Sequence, residues 1–164
     1  MKKGEQSKFH KYFNILPKKF PCPLNYNEQE MAMLVNTSIP RFIKGVRGEI
    51  ELCYNENQAI KDNVTLDELM HVNSMILSRK FNLSSETITD CMVPFADMAN
   101  HSDDNNIAYS YSWPHRGVVY RALRNIKRGE EITISYGKTK PNDVIFFQYA
   151  FTLGGEDHSI WDAV

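Results

Sequence analysis

Polar side chains of four kinds in this chain could bind a small molecule or assist a reaction. Asn100 and His101 are adjacent, and an amide beside an imidazole offers hydrogen-bond donors and acceptors at short reach. Tyr136 adds a phenol, and Arg79 adds a planar guanidinium that suits a carboxylate. Each also has an ordinary structural explanation: a turn cap for the Asn-His pair, packing for the tyrosine, and a complement to the helix dipole for the arginine. The residue types alone therefore do not separate chemistry from structure.

The elements that would position these residues begin with a helical part. Pro17, Pro21 and Pro23 should prevent a long helix, so residues 9–24 are expected to be irregular. A short helix is expected over residues 27–37, with Asn27 as its N-cap. A longer helix should begin near Ser38–Pro40, because proline is tolerated in a first turn.

A third helix should lead directly to Arg79. Thr65 and Glu68 have the spacing of a capping box, which predicts a helix start at that point. The helix is expected to end around Arg79–Phe81. The residues expected on its buried face are Leu66, Leu69, Val72 and Ile76.

From residue 91 onward the pattern favours antiparallel strands and hairpins, because β-branched and aromatic runs alternate with turn residues. The predicted strands are Met92–Phe95, Ile107–Trp113, Val118–Ile126 and Glu131–Tyr136. Residues 103–106 are interpreted as a turn. A last helix should start near Thr139 and Pro141, with Gly154 and Gly155 placed to end it.

Two stretches put the candidate residues into a known order. Residues 94–102 read Pro-Phe-Ala-Asp-Met-Ala-Asn-His-Ser, and residues 128–137 read Arg-Gly-Glu-Glu-Ile-Thr-Ile-Ser-Tyr-Gly. Together they resemble the two C-terminal signatures of the SET domain. Residues 10–24, with their Tyr…Leu-Pro…Phe…Pro-Leu pattern, resemble the segment that introduces the helical insert in the Rubisco large-subunit methyltransferase-like subclass. The resemblance covers roughly residues 8–153.

The resemblance implies an α+β fold, namely a partial SET domain that represents only the C-terminal portion of the family fold. Residues 1–25 would be a proline-punctuated lead-in and residues 26–90 the helical insert. Residues 91–153 would be the C-terminal SET region, with short antiparallel strands and a closing helix, followed by a tail over residues 154–164.

The resemblance also implies S-adenosylmethionine-dependent methylation of a protein nitrogen, with lysine as the first choice and histidine as the second. Asn100 and His101 match the residues that hold the cofactor, and Tyr136 matches the catalytic tyrosine whose hydroxyl points at the reacting centre. The further cofactor-binding candidates are Ser78, Arg79 and Asp97. The substrate-binding candidates are Tyr149 and Arg79.

One part of the family pattern is missing, and this leaves alternatives open. The SET fold normally starts with strands that carry a Gly-x-Gly turn, and this sequence has none. The chain could be a fragment of a larger enzyme, a subunit completed by a partner chain, or a non-catalytic SET remnant that acts as a protein-interaction module. Half a sheet would leave unpaired edges, so a homodimer formed through those edges is also expected.

Composition narrows the classes of partner. The net charge of −1 gives the whole molecule no electrostatic reason to bind nucleic acid directly. The three cysteines form no CxxC pair and have no histidine at zinc spacing, so we expect no metal and a reducing compartment, cytoplasmic or nuclear. No apolar run approaches the ~20 residues of a membrane span, so no membrane association is expected.

Overall fold

One long helix organises the helical part of the chain. The computed structural model describes residues 4–83 and 90–154. The helices in these residues are α1 (His10–Ile15), α2 (Glu28–Ala32), α3 (Ile39–Glu56), α4 (Gln58–Lys61), α5 (Leu66–Arg79) and α6 (Asn142–Tyr149). No helix of the described residues is both long and apolar enough to cross a membrane.

The predicted starts of two helices are confirmed. Asn27 caps α2: its side chain accepts hydrogen bonds from the backbone of Gln29 and Glu30, and the Asn27 N–H donates to the Glu30 carboxylate. Thr65 and Glu68 form the expected capping box, with the Thr65 N–H 2.8 Å from the Glu68 carboxylate and the Glu68 N–H 3.2 Å from the Thr65 hydroxyl. These short-range bonds satisfy N–H groups that have no partner within the helix itself.

The core of the helical unit lies along one face of α3. Ile39, Ile43 and Ile50 are buried on that face. They form one cluster with Cys22, Leu24, Met70 and Phe147. The Arg47 guanidinium on α3 donates to the Leu24 carbonyl over 2.8 Å, which holds the proline-rich lead-in against the helix.

The buried face of α5 was predicted correctly only in part: Leu66 and Leu69 pack against the core as expected, but Val72 and Ile76 do not. Val72 and Ile76 are 48% and 42% exposed, whereas Met70, Ser74 and Met75 are buried. Ser74 can enter the core because its hydroxyl donates to the Met70 carbonyl over 2.9 Å, so it leaves no unsatisfied polar group. Apolar periodicity could not reveal a buried face that contains a serine.

The end of the last helix was also placed wrongly. Helix α6 ends at Tyr149, before Gly154, because Ala150 adopts a left-handed backbone with φ 62° and donates to the Phe146 carbonyl. This is a C-terminal cap geometry that glycine usually supplies. Gly155, the other residue expected there, lies outside the described residues.

The strand unit consists of three short strand pairs. Its strands are β1 (Lys80–Asn82), β2 (Asp90–Met92), β3 (Asn100–His101), β4 (Ile107–Ser112), β5 (Gly117–Ala122) and β6 (Thr133–Ile134). The β4–β5 pair is antiparallel, as predicted. The β1–β2 pair is also antiparallel, but β1 was not predicted, and β2 ends at Met92, where the predicted strand Met92–Phe95 was expected to begin. The pair β3–β6 is parallel, which corrects the expectation of antiparallel strands throughout. Parallel pairing requires a long connection between its strands, and residues 102–132 supply it.

Two compact units therefore make up the chain, and they are discontinuous in sequence. The helical unit comprises Met1–Ser78 and Thr139–Val164, and the strand unit comprises Arg79–Lys138. Helix α6 thus clusters with the first helices and not with the strands that precede it. The domain boundaries expected from the sequence remain a prediction.

Candidate functional site

The parallel pair β3–β6 brings the two candidate stretches together. Asn100 pairs with Thr133 and His101 with Ile134. Just beyond β6, the Tyr136 backbone N–H donates to Nδ1 of His101 over 3.0 Å. The imidazole and phenol rings lie with centroids 5.3 Å apart. Residues far apart in sequence, and predicted to act together, are therefore neighbours.

The hydrogen bonds of His101 fix the position of its proton. Because Nδ1 accepts from the Tyr136 N–H, a neutral ring carries its hydrogen on Nε2. That atom lies 3.3 Å from a carboxylate oxygen of Asp103. The His101 side chain is only 3% exposed, so the ring is buried, and the bond from the Tyr136 N–H to Nδ1 holds its orientation.

The Tyr136 hydroxyl is also held. It donates to the Ala99 carbonyl over 2.9 Å, one residue before Asn100. Burial raises the pKa of Tyr136, with a further upward contribution from Asp97 that the charge of Arg79 opposes. The group is therefore a neutral phenol at neutral pH, with its proton directed at a backbone oxygen.

Asp97 and Arg79 form an ion pair within the strand unit. The Asp97 carboxylate is fully buried, and one of its oxygens lies 3.6 Å from Nη1 of Arg79. The same Nη1 donates to the Asp97 carbonyl over 3.1 Å. Within the described residues, Nε of Arg79 is buried and makes no hydrogen bond. A guanidinium with an unused buried donor can take one more acceptor, such as a ligand carboxylate.

Asn100 is the accessible member of the group. Its side chain is exposed, and its amide donates to the Glu131 carboxylate over 2.6 Å. An exposed asparagine in the strand unit can be reached by a ligand.

Two predicted site residues, Ser78 and Tyr149, belong to the helical unit. The Ser78 hydroxyl donates to the Met75 carbonyl over 3.2 Å, within its own helix. The Tyr149 hydroxyl lies 3.2 Å from Nζ of Lys140, and that ammonium lies 5.2 Å from the centre of the Tyr149 ring. Tyr149 thus already contacts a cation through its ring, which is the kind of contact expected of it. The roles of both residues remain predictions.

Sequence reasoning missed Asn106, which it interpreted as part of a turn. Asn106 is 1% exposed. Its amide nitrogen donates to the Glu131 carbonyl over 2.8 Å, and its amide oxygen accepts from the Thr133 N–H over 2.9 Å. It therefore joins the segment after β3 to β6. Nothing in the local pattern distinguishes Asn106 from its neighbour Asn105, so no sequence signal could have found it.

Glu130, in the Gly-Glu-Glu stretch, closes the turn before β6. Its carboxylate accepts from the Lys127 N–H over 2.9 Å, pairs with Arg124, and accepts from the Asn106 amide. These contacts lower the pKa of Glu130, the Lys127 backbone bond most strongly. The first glutamate of the motif is thus a turn-stabilising residue, whereas Glu131 contacts Asn100.

Comparison with known proteins assigns this chain to a family. The SET domain family model matches residues 2–137. The chain is 26% identical over 173 residues to a Rubisco large-subunit N-methyltransferase of Pisum sativum, which covers 93% of this chain and 35% of the relative. It is 25% identical over 162 residues to an actin-histidine N-methyltransferase of Gallus gallus, which covers 90% of this chain and 27% of the relative.

Solved structures agree on the fold. The SET domain of LSMT bound to methyllysine and AdoHcy superimposes with a TM-score of 0.75 at 23% identity, covering 93% of this chain and 37% of that chain. The predicted α+β fold is thereby confirmed. The chain spans about a third or less of the length of these curated relatives. With most of its length matched by the family model, this chain belongs to the SET domain family.

Proposed function

We propose that this chain carries the cofactor-binding and catalytic part of an S-adenosylmethionine-dependent protein N-methyltransferase, with lysine as the first choice of acceptor and histidine as the second. The observation that carries the proposal is the direct contact between His101 and Tyr136, which joins the two family signatures in one site. Relatives named as lysine and histidine N-methyltransferases support both choices of acceptor.

The residues present fit the cofactor. Arg79 has a buried Nε without a hydrogen bond in the described part of the chain, and this donor suits the carboxylate of an amino acid. Asn100, in the same strand unit, offers an exposed amide. S-adenosylmethionine would supply an electrophilic methyl group, which the acceptor nitrogen takes by in-line displacement as the methyl–sulfur bond breaks.

Tyr136 is proposed to orient this reaction and not to remove a proton. Its hydroxyl already donates to the Ala99 carbonyl, and its raised pKa keeps it protonated. A phenol in this state presents oxygen lone pairs, which can accept a hydrogen bond from the acceptor nitrogen or a weak C–H contact from the methyl group. Rate acceleration would come from alignment and from a fixed electrostatic environment.

The alternative, a non-catalytic remnant that acts as a protein-interaction module, is not favoured. A binding module has no chemical need for a buried imidazole that accepts a hydrogen bond at Nδ1 beside an oriented phenol. The relatives named above are themselves methyltransferases.

Calorimetric titration of the full chain with S-adenosylmethionine tests the proposal. We expect binding that Asn100→Ala abolishes and that Asn105→Ala, a neighbouring asparagine outside the site, leaves intact. Transfer of a labelled methyl group to lysine-containing and histidine-containing peptides then identifies the acceptor. A folded chain that binds no cofactor would contradict the proposal for this chain.

Three further expectations are part of this proposal. The acceptor of the methyl group is proposed to lie on a protein. The chain is also proposed to self-associate through strand edges, because β4 and β5 form only a two-stranded sheet among the described residues. Sedimentation analysis would detect the dimer.

A cytoplasmic or nuclear location is proposed because the three cysteines are free thiols, which are typical of reducing compartments. Fluorescence microscopy of a tagged chain would check it.

A further inference from the structure

We infer that Tyr120 is a positioning residue for the cofactor segment, which we define as residues 95–101. The inference rests on the proposed function, because that function places S-adenosylmethionine at Asn100 and His101. Tyr120 would act through the backbone of the segment, by a hydrogen bond from its hydroxyl to the Ala96 carbonyl.

The cofactor segment is held by side chains at three of its backbone carbonyls. The three pairs are Tyr120 Oη to Ala96 O at 2.7 Å, Arg79 Nη1 to Asp97 O at 3.1 Å, and Tyr136 Oη to Ala99 O at 2.9 Å. The Tyr120 bond is the shortest of the three. The family resemblance assigns Arg79 and Tyr136 to the site, but it does not assign Tyr120.

The segment needs such support because its backbone is strained at one end. Phe95 has φ 71° and ψ −34°, a conformation that residues with a side chain rarely adopt. Its side chain is 60% exposed, so burial of the ring contributes little to holding it. A strained conformation persists only when the surrounding contacts over-determine it. The bond from Tyr120 lies at the very next residue, Ala96.

Tyr120 itself is well placed to act as a donor. It lies on β5 and packs against Phe81 and Tyr109, with ring centroids 6.5 Å and 6.4 Å away. Burial raises the pKa of Tyr120 to about 12, with further contributions from the nearby Tyr109, Asp97 and Tyr136. The hydroxyl therefore keeps its proton at any pH near neutrality and can only be a neutral donor to Ala96.

Tyr109 provides a matched control. It is the direct cross-strand partner of Tyr120 and packs in the same aromatic cluster. Burial also raises the pKa of the Tyr109 hydroxyl. In the described part of the chain, however, the Tyr109 hydroxyl makes no hydrogen bond to the cofactor segment. Tyr109→Phe thus removes a comparable hydroxyl without touching residues 95–101.

Amide hydrogen exchange of the full chain, measured by mass spectrometry, tests the inference without any ligand. Tyr120→Phe should speed exchange in peptides covering residues 95–101 by about three- to tenfold, since one hydrogen bond is lost. The relevant amides include that of Ala99, which donates to Ala96. Tyr109→Phe should leave these peptides unchanged. Equal exchange in both variants, or an increase spread evenly over β4 and β5, would overturn the positioning role.

Cofactor titration provides the second readout. Tyr120→Phe should weaken S-adenosylmethionine binding by about three- to tenfold, and Tyr109→Phe by less than about twofold. An unchanged dissociation constant in Tyr120→Phe overturns the inference while leaving the proposed function intact. If the unaltered chain binds no cofactor, the proposed function fails, and the exchange experiment still decides whether Tyr120 holds the segment.

Discussion

Asn106 and Thr133 bind each other reciprocally across the strand unit. The Thr133 N–H donates to the Asn106 amide oxygen over 2.9 Å, and the Asn106 N–H approaches the Thr133 hydroxyl at 3.4 Å. This exchange joins the start of β4 to β6 and thereby holds the register of the parallel pair that carries the candidate site.

Asn106→Ala should lower the free energy of unfolding by about 3 kcal/mol, because it leaves the part-buried Thr133 N–H and the Glu131 carbonyl without their partner. Chemical denaturation monitored by circular dichroism would measure the loss. Asn105→Ala, which removes one bond to the Ile107 carbonyl, is the control and should cost less than about 1 kcal/mol. Similar losses in the two variants would show that Asn106 is only a turn residue.

His101→Phe should lower the free energy of unfolding by about 2 kcal/mol, because a ring of similar size fills the site but offers no acceptor to the part-buried Tyr136 N–H. Thermal unfolding would measure this loss. His115→Phe, in the exposed turn between β4 and β5, is the matched control and should change stability by about 0.5 kcal/mol or less. A neutral His101→Phe would mean that the hydrogen bond does not stabilise the site.

Tyr136→Phe should reduce kcat by about a hundredfold in the active enzyme while changing the dissociation constant of the cofactor by less than about threefold. The reason is that the hydroxyl is proposed to act on the reacting atoms, whereas the ring keeps its contact with His101. Steady-state kinetics beside cofactor titration would separate the two effects, with Tyr111→Phe on β4 as the control. An unchanged kcat would refute the catalytic role.

Glu130→Gln should remove a pH-dependent part of the stability. Since the pKa of Glu130 is lowered below its ordinary value of 4.5 in the folded chain, its charged form stabilises the fold above that pH. This contribution is lost as the pH falls through the lower folded-state pKa. The free energy of unfolding, measured between about pH 7 and pH 2, should therefore differ most between wild type and variant near pH 7.

The control for this experiment is Glu49→Gln, at an exposed position on α3. Its stability should follow that of the wild type across the whole range. A gap for Glu130→Gln that widens toward low pH would have the wrong sign and would contradict the assignment.

The sequence by itself determined those features whose causes are local. The cap at Asn27, the capping box of Thr65 and Glu68, and the β4–β5 hairpin follow from residues only a few positions apart, and each was predicted and found. The order of the two signature stretches was also sufficient to indicate the family, which the match to residues 2–137 confirms.

Only the tertiary structure decided the features that depend on contacts between distant residues. The parallel pairing of β3 with β6, the burial of Ser74 in place of Val72, and the role of Asn106 all depend on partners that the chain brings together after folding. A buried polar residue is stabilised by the specific partners that satisfy its hydrogen bonds. No periodic pattern in the sequence encodes those partners. The position of a buried polar residue therefore becomes evident only when its neighbours in the folded chain are known.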